Sequence, residues 1–263
     1  MNSVLYLGPP HSFHHLAAQS YFGEEATYTA VQDPEDIGRL LEQDAYTHGV
    51  IAVENVQAGR VPRHLEIIAH NDLFISAQLI MEVNLFLCGL HGATLNDISA
   101  VYSHPMALRQ SDRFLADRNW QQVEMSSTSE ALLHISNSGR QAWAAIGNRT
   151  AAGLFSLDIL AGPVNNAKDN HTRFFVVQKR NKVEAETTTG KEFTSILIEA
   201  TALEASREVI SSAGWQVFRE WPLEGSDKVM LELQATDQER VPGSIEAFPL
   251  IGCYANAKYC FEH

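Results

Sequence analysis

Asp169-Asn170-His171-Thr172-Arg173-Phe174-Phe175-Val176-Val177 is the stretch on which the fold turns. A strand with one wet face alternates apolar and polar residues, but Phe174 to Val177 are apolar at every position. The run therefore reads as a strand covered on both faces, as in a parallel sheet flanked by helices. A hydroxyl and a guanidinium, Thr172 and Arg173, stand at the mouth of that strand. Two readings are open. One is a strand-edge hydroxyl beside an arginine whose stem packs while its head reaches water. The other is a small anion site with a weak acid next to it.

Outward from this strand, strand-like and helix-like segments alternate over the first 179 residues. Strand signals fall at residues 4–7, 27–31, 50–53, 73–88 (long enough for two strands), 98–102, 144–146 and 172–178. Asp33-Pro34, Pro62 and Pro105 mark helix starts, with proline at a first-turn position that needs no N–H, and Ser127-Thr128-Ser129-Glu130 has capping-box spacing. Such alternation predicts βαβ units and a parallel sheet. Residues 180–191 are polar, contain Thr187-Thr188-Thr189-Gly190 and lack an apolar period, so they read as a linker. Beyond it the order is strand (193–200), helix (202–213), strand (215–221), strand (228–233) and a last strand-like piece (249–254), a small α+β module.

Composition narrows the classes. The net charge of −13, from 32 acidic against 19 basic residues, repels a phosphate backbone, so nucleic acid is not an expected partner. Cys88, Cys253 and Cys260 are odd in number and lack metal-ligand spacing, which points away from a disulfide framework and towards a reducing compartment. No apolar run approaches the roughly 18 residues of a membrane span, and Met1-Asn2-Ser3 leads straight into a strand-like segment rather than a signal peptide. A cytoplasmic protein with no membrane contact is the expectation. There is no Gly-rich phosphate loop, no H-E-x-x-H and no G-x-S-x-G.

What remains is a set of polar residues at the ends of expected strands, where open α/β sheets bind ligands and where helix N-termini favour anions. Gly8 to His15, Glu54-Asn55 with Gly59, Ser103-His104-Pro105 and Ser126 to Ser129 are four such places. Each also has a plain cap or turn reading. Together they suggest a cleft.

In this order the segments resemble the prephenate dehydratase family. Tyr6-Leu7-Gly8-Pro9 with Ser12-Phe13 and Leu16-Ala17-Ala18 looks like its opening motif, and Val53-Glu54-Asn55 with Gly59 like its second. Tyr102-Ser103-His104-Pro105 with Gln110, then Ser126-Ser127-Thr128, then Ala144-Ala145-Ile146-Gly147 follow, and Asn170 to Phe174 supplies Thr-Arg-Phe. The tail is similar to an ACT module, with Glu220-Trp221-Pro222 and Gly252-Cys253-Tyr254 in the places of its motifs.

The resemblance implies a two-lobed, periplasmic-binding-protein-like α/β catalytic domain over residues 1–179, with lobe 1 at about 1–78 and 158–179 and lobe 2 at about 79–157. Chain crossings would fall near Leu79 and Leu157. A ferredoxin-like ACT module would occupy 192–263. Decarboxylating dehydration of prephenate to phenylpyruvate, in phenylalanine biosynthesis, would then be the reaction. Thr172 would donate to the departing oxygen, Arg173 would hold the site together or face a carboxylate, and Phe174 would pack beneath them. Asn55 would hydrogen-bond the substrate, and Ser12, Glu54, His64, Ser103, His104, Gln110, Ser126, Ser127 and Thr128 would line its site. No metal or organic cofactor is implied.

Several positions depart from the family pattern. His11-Ser12-Phe13-His14 stands where the family has Gly-Thr-Phe-Ser, Val56 replaces a hydroxyl residue, His64 a threonine, and Met106 the Gln of Ser-His-Pro-Gln. His11, His14, His15, His64, His104 and His171 would lie near one cleft, as solvated or packed side chains or as a base or ligand set, because neutral imidazole serves both roles near pH 7. In the tail, Ala202-Leu203-Glu204 lacks the usual effector glycine, Trp221 directly precedes Pro222 without the usual arginine, and Pro242-Gly243 interrupts the expected second helix within residues 236–248. Phenylalanine is thus expected to bind Glu220, Trp221 and Pro222 weakly or not at all, while the module pairs subunits into a dimer or tetramer. Two alternatives stay open: a related enzyme on another small carboxylate, either a non-aromatising decarboxylase or a histidine-assisted lactone or ester hydrolase, and a non-catalytic binding or regulatory homologue.

Overall fold

A computed structural model describes residues 1–180, 192–236, 248–255 and 257–260. The chain opens with β1 (Ser3–Leu7), α1 (Phe13–Phe22) and β2 (Thr27–Val31), then α2 (Glu35–Glu42) and β3 (His48–Asn55). Both β2 and β3 lie parallel to β1, on opposite sides of it. That reversal puts α1 and α2 on opposite faces of the sheet. Ala17 and Ala18 of α1 pack with Val4 and Phe174, whereas Ile37 and Leu41 of α2 pack with Leu5 and Phe175. Neighbouring strand residues point to opposite faces, and here each face has its own helix. This is why the central strands are apolar at every position.

After β4 (Gly59–Arg60), α3 (Pro62–His70) and β5 (Leu73–Glu82), the chain crosses into a second sheet. There it forms β6 (Phe86–Gly89), β7 (Ala100–Ser103), α4 (Pro105–Gln110), α5 (Asp112–Ala116), β8 (Gln121–Glu124), α6 (Thr128–Ser138), β9 (Trp143–Gly147), α7 (Arg149–Leu154) and β10 (Asp158–Ala161), with strand order β10-β6-β9-β7-β8. It returns as β11 (His171–Lys179), which inserts between β5 and β3. The crossings lie at residues 83–85 and 162–170, later than Leu79 and Leu157, because Leu79 and Met81 still face the α1 side of the large sheet.

The expected purely parallel setting of residues 172–178 is corrected: β11 is antiparallel to both neighbours. Arriving from the second lobe, it enters the sheet from the opposite end to β1 and β3. The strand β8 gave no signal in the sequence because it is a mostly exposed edge with a single apolar residue, Val123.

Past residue 191 come β12 (Phe193–Glu199), α8 (Leu203–Ser212), β13 (Trp215–Pro222), β14 (Lys228–Ala235), β15 (Leu250–Tyr254) and β16 (Lys258–Cys260). Residues 181–191 of the expected linker and 237–247 of the expected short helix lie outside the described residues. The antiparallel set β13-β14-β12-β15 joins the large sheet where Gly252 meets Ile75 of β5. A Cβ on Gly252 would come within 2.8 Å of the Ile75 Cβ, so the approach requires glycine there. Phe193, Trp221, Met230 and Tyr254 share one buried cluster with Ile75, Phe175 and Val177. The C-terminal module and the first lobe have a common core.

Candidate active site

At the mouth of β11, Thr172 lies directly opposite Asn55 of β3. The Asn55 Nδ2 group donates to Thr172 Oγ1 at 3.0 Å, to Asn170 Oδ1 at 3.0 Å and to the His171 carbonyl at 3.1 Å. Its Oδ1 is fixed in turn by the backbone N–H groups of Gln57 (3.0 Å) and Ala58 (2.8 Å) and by Gln110 Nε2 (3.4 Å). This network sets the amide orientation: Asn55 must present N–H to Thr172. Thr172 is partly exposed, and among the described residues no acceptor takes its hydroxyl proton. A hydroxyl that accepts one hydrogen bond and keeps its own proton free is polarised as a donor.

Alternation sends the neighbouring residues the other way. Arg173 and Glu54, also opposite each other, face away from the Asn55–Thr172 pair. Arg173 is 5% exposed, and its guanidinium grips Glu232 of β14 through Nη1 (2.8 Å) and Nη2 (2.5 Å) and also Gln78 Oε1. Glu54 pairs with Arg219 of β13. Of the two roles expected of Arg173, facing a substrate carboxylate is corrected and holding the site together stays open, and the expectation that Glu54 lines the site is corrected as well: both charges are spent on the C-terminal module. Burial disfavours both charges of the Arg173–Glu232 pair, but the mutual hydrogen bonds outweigh it, raising the arginine pKa and lowering that of the carboxyl.

Two imidazoles occupy the point where β1 and β3 part. Past Val50, β1 no longer pairs with β3. There the Ala52 N–H donates to His14 Nε2 at 3.3 Å, and His64 Nδ1–H donates to the Ala52 carbonyl at 2.6 Å. The rings lie edge-to-face with centroids 6.3 Å apart, and His14 meets Phe174 at 5.2 Å. Desolvation, reinforced by His64, lowers the His14 pKa to about 3, and desolvation also lowers that of His64. Both rings are neutral at pH 7.

A histidine depressed on folding binds fewer protons in the folded than in the unfolded chain between about 6.5 and its folded value. Stability is then fully present above pH 6.5 and falls as the pH drops towards 3. The urea midpoint is expected to decrease from pH 7 to pH 4. His14→Gln, which keeps an acceptor but cannot titrate, should flatten that decrease; an unchanged pH profile would count against the assignment.

The remaining expected residues are dispersed. Ser103 is fully buried and donates to the Ile146 carbonyl at 2.6 Å, so it supports β9 instead of lining a cleft, a correction that follows from its place at the end of β7, next to β9. His104 caps α4 by accepting from Met106 N–H, and Ser12 caps α1 by accepting from His15 N–H while donating to the Leu7 carbonyl. Ser127 caps α6, accepting from Glu130 N–H at 3.0 Å, next to Thr128 and the exposed Ser126. The lobes touch here, since Ser129 Oγ donates to the Pro10 carbonyl at 2.6 Å and Asn148 Nδ2 to that of His11 at 3.0 Å. His11, standing at the family's glycine, adopts φ 65°, a left-handed conformation that costs a non-glycine residue about 1–2 kcal/mol. The six histidines do not converge on one point: His11 pairs with His15, His14 with His64, His171 with Asp169, and His104 stands apart at its cap. In the C-terminal module Glu220 is held by Arg207, Trp221 is buried against Glu232, and Pro222 ends β13.

A cavity of about 270 Å³ opens beside the Asn55 network, between the lobes, and is lined by Gln57, Met106, Arg109, Gln110, Asn165, Asn166, Ala167 and Asn170. Gln110 and Asn170 belong to both, with Asn170 Nδ2 donating to Gln110 Oε1 at 3.3 Å. Thr172 thus lies one hydrogen-bonded amide behind the cavity wall. Arg109, Asn165 and Asn166 were missed in the sequence. The signal available was the cluster of three asparagines in residues 165–170, just ahead of the Thr-Arg-Phe strand.

Comparison with known proteins gives a consistent picture. The family model described as "Prephenate dehydratase" matches residues 4–182. A bifunctional chorismate mutase/prephenate dehydratase of Aquifex aeolicus is 33% identical over 217 residues, covering 80% of this chain and 58% of that protein. The chain spans about half the length of the curated relatives it matches. Among solved structures, one titled GqqA, a quorum quenching acylase, superposes with TM-score 0.81 at 23% identity, covering 97% of this chain and 98% of that one. A prephenate dehydratase from Arthrobacter aurescens in complex with L-Phe superposes with TM-score 0.80 at 20% identity, covering 97% and 90%. At such identities the structures show a shared fold.

Proposed function

The chain belongs to the prephenate dehydratase family, and from that premise we propose that it converts prephenate to phenylpyruvate, carbon dioxide and water. One observation carries the reading: the Thr172 hydroxyl is polarised by Asn55 and keeps its proton free, one hydrogen-bonded amide away from the interlobe cavity. Loss of the ring carboxylate as carbon dioxide leaves an electron pair that moves through the ring and expels the ring hydroxyl as hydroxide, which takes one proton from solvent to leave as water. Aromatisation drives the step, so a strong acid is not needed. Thr172 donates a hydrogen bond to the departing oxygen as its charge develops, where a preorganised donor has most effect. Asn55 holds Thr172, Gln110 and Asn170 hold Asn55, and Arg109 supplies a cation at the cavity for a substrate carboxylate. This role passes to Arg109 because Arg173 is committed to Glu232.

Phenylpyruvate as the product is in keeping with phenylalanine biosynthesis, and a cytoplasmic role goes with that reading. The C-terminal module is assigned to ACT-like subunit pairing. Its Glu220 and Trp221 are engaged internally, which supports a weak response to phenylalanine or none. The test is direct: purified protein and prephenate at neutral pH, followed by the alkaline ultraviolet absorbance of phenylpyruvate. Product well above the uncatalysed rate is expected, and its absence ends this reading.

His64 favours a second reading, in which its neutral imidazole, with Nδ1–H on the Ala52 carbonyl and the lone pair on Nε2, acts as base in the hydrolysis of a lactone, ester or acyl bond. The quorum quenching acylase that shares the fold is compatible with it. Hydrolysis of a chromogenic ester or an acylated lactone, abolished in His64→Gln, with no turnover of prephenate, would favour this reading over the first.

A further inference from the structure

Glu232 is a wholly buried carboxylate in the middle of β14 that the chemistry above does not use. It accepts hydrogen bonds from Arg173 Nη1 (2.8 Å) and Nη2 (2.5 Å), Trp221 Nε1 (2.7 Å) and Tyr254 Oη (2.6 Å). These donors come from β11, β13 and β15, so one side chain ties the Thr172 strand to two further strands of the C-terminal module. On the adjacent strand, Glu54 is held by Arg219 of β13. Both strands that carry the Asn55–Thr172 pair are thus gripped from behind by the module.

The grip falls at an irregularity of the sheet. The β11–β3 ladder shifts register between Arg173 and Phe174, while pairing with β5 runs unbroken through Thr172 and Arg173. A bulge interrupts regular pairing and lets the strand bend, so the approach of Thr172 to Asn55, on the irregular side, depends in part on what anchors the Arg173 side chain. A displacement of about 1 Å at a reacting group costs about 10²-fold in rate.

We propose that Glu232 is a positioning residue for the dehydration: acting through Arg173, it sets the place of Thr172 against Asn55 and makes the C-terminal module part of the catalytic unit. This rests on the prephenate reading above.

The experiment is a double-mutant cycle on the full chain. Glu232→Gln is assayed for kcat and KM with Thr172 intact and again in a Thr172→Val background, well below the melting temperature of each variant. With Thr172 present, kcat is expected to fall about 10–100-fold, with KM changed by less than about 3-fold. In the Thr172→Val background the residual kcat is expected to change by less than about 3-fold, because the group being positioned is gone. An unchanged kcat in the first case, or equal losses in both, overturns the proposal; equal losses are what a general weakening of the fold would give. If Glu232→Gln does not fold, Glu232→Asp, which keeps the charge but draws the carboxylate back from Arg173, goes through the same cycle under the same criteria. If the unaltered protein forms no phenylpyruvate, the functional reading fails separately. The clamp is then judged by hydrogen exchange: Glu232→Gln must speed exchange at residues 171–174 relative to β7, and unchanged protection there overturns it.

Discussion

Replacing Thr172 with valine is expected to lower kcat for prephenate by about 10²–10³-fold, the usual effect of deleting one preorganised donor to developing negative charge. Valine keeps the β-branched shape that suits the strand while removing the hydroxyl. Asn55 does not become an orphan, because its Nδ2 still reaches Asn170 and the His171 carbonyl. The fold should therefore survive, and KM should stay within a few-fold, since the interaction forms mainly in the transition state. Thr172→Ser, which restores the hydroxyl without the methyl, should recover most of the rate. Steady-state kinetics on the two variants decide the matter: a valine variant with undiminished kcat would remove Thr172 from the chemistry.

Arg173→Met is expected to destabilise the protein by about 3–5 kcal/mol at neutral pH, because it strands Glu232 as an unpaired charge in a wholly buried setting. Trp221 and Tyr254 still donate to the carboxylate, but neither carries charge. In the intact protein the Glu232 pKa is depressed, so the pair contributes stability above the unfolded carboxyl value and loses it as the pH falls through the folded one. Without Arg173 the buried carboxyl prefers to take up a proton, and the deficit should shrink from pH 7 to pH 4. Urea unfolding at the two pH values measures both effects. The paired variant Arg173→Met with Glu232→Leu should recover most of the loss, since apolar replacement of a whole buried pair is often neutral or stabilising. A single variant as stable as the parent would show that the ion pair carries no such weight.

Much of this architecture was legible because its signals are local. Prolines 62 and 105 open their helices where expected, and Ser127 caps α6 through the Glu130 N–H. Of the site, Asn55, Thr172 and Gln110 are brought together as the order of motifs suggested. Ser103 was misplaced because a serine at a strand end reads the same whether its hydroxyl faces a ligand or a neighbouring carbonyl. Arg109 was overlooked because an arginine ending a short helix gives no hint of the cavity that the other lobe closes around it. Glu232 did leave a trace, a lone charge within Val229-Met230-Leu231-Glu232-Leu233, but its partner is 59 residues away.

Residue pattern alone was enough to read a two-sided α/β sheet, since an all-apolar strand needs cover on both faces. It also put a hydroxyl and an arginine side by side at that strand's mouth. Their separate destinations were not readable from local pattern and followed from packing. Backbone alternation forces adjacent residues to opposite faces, and what covers each face comes from distant chain: Asn55 and an interlobe cavity for Thr172, the buried Glu232 of the C-terminal module for Arg173.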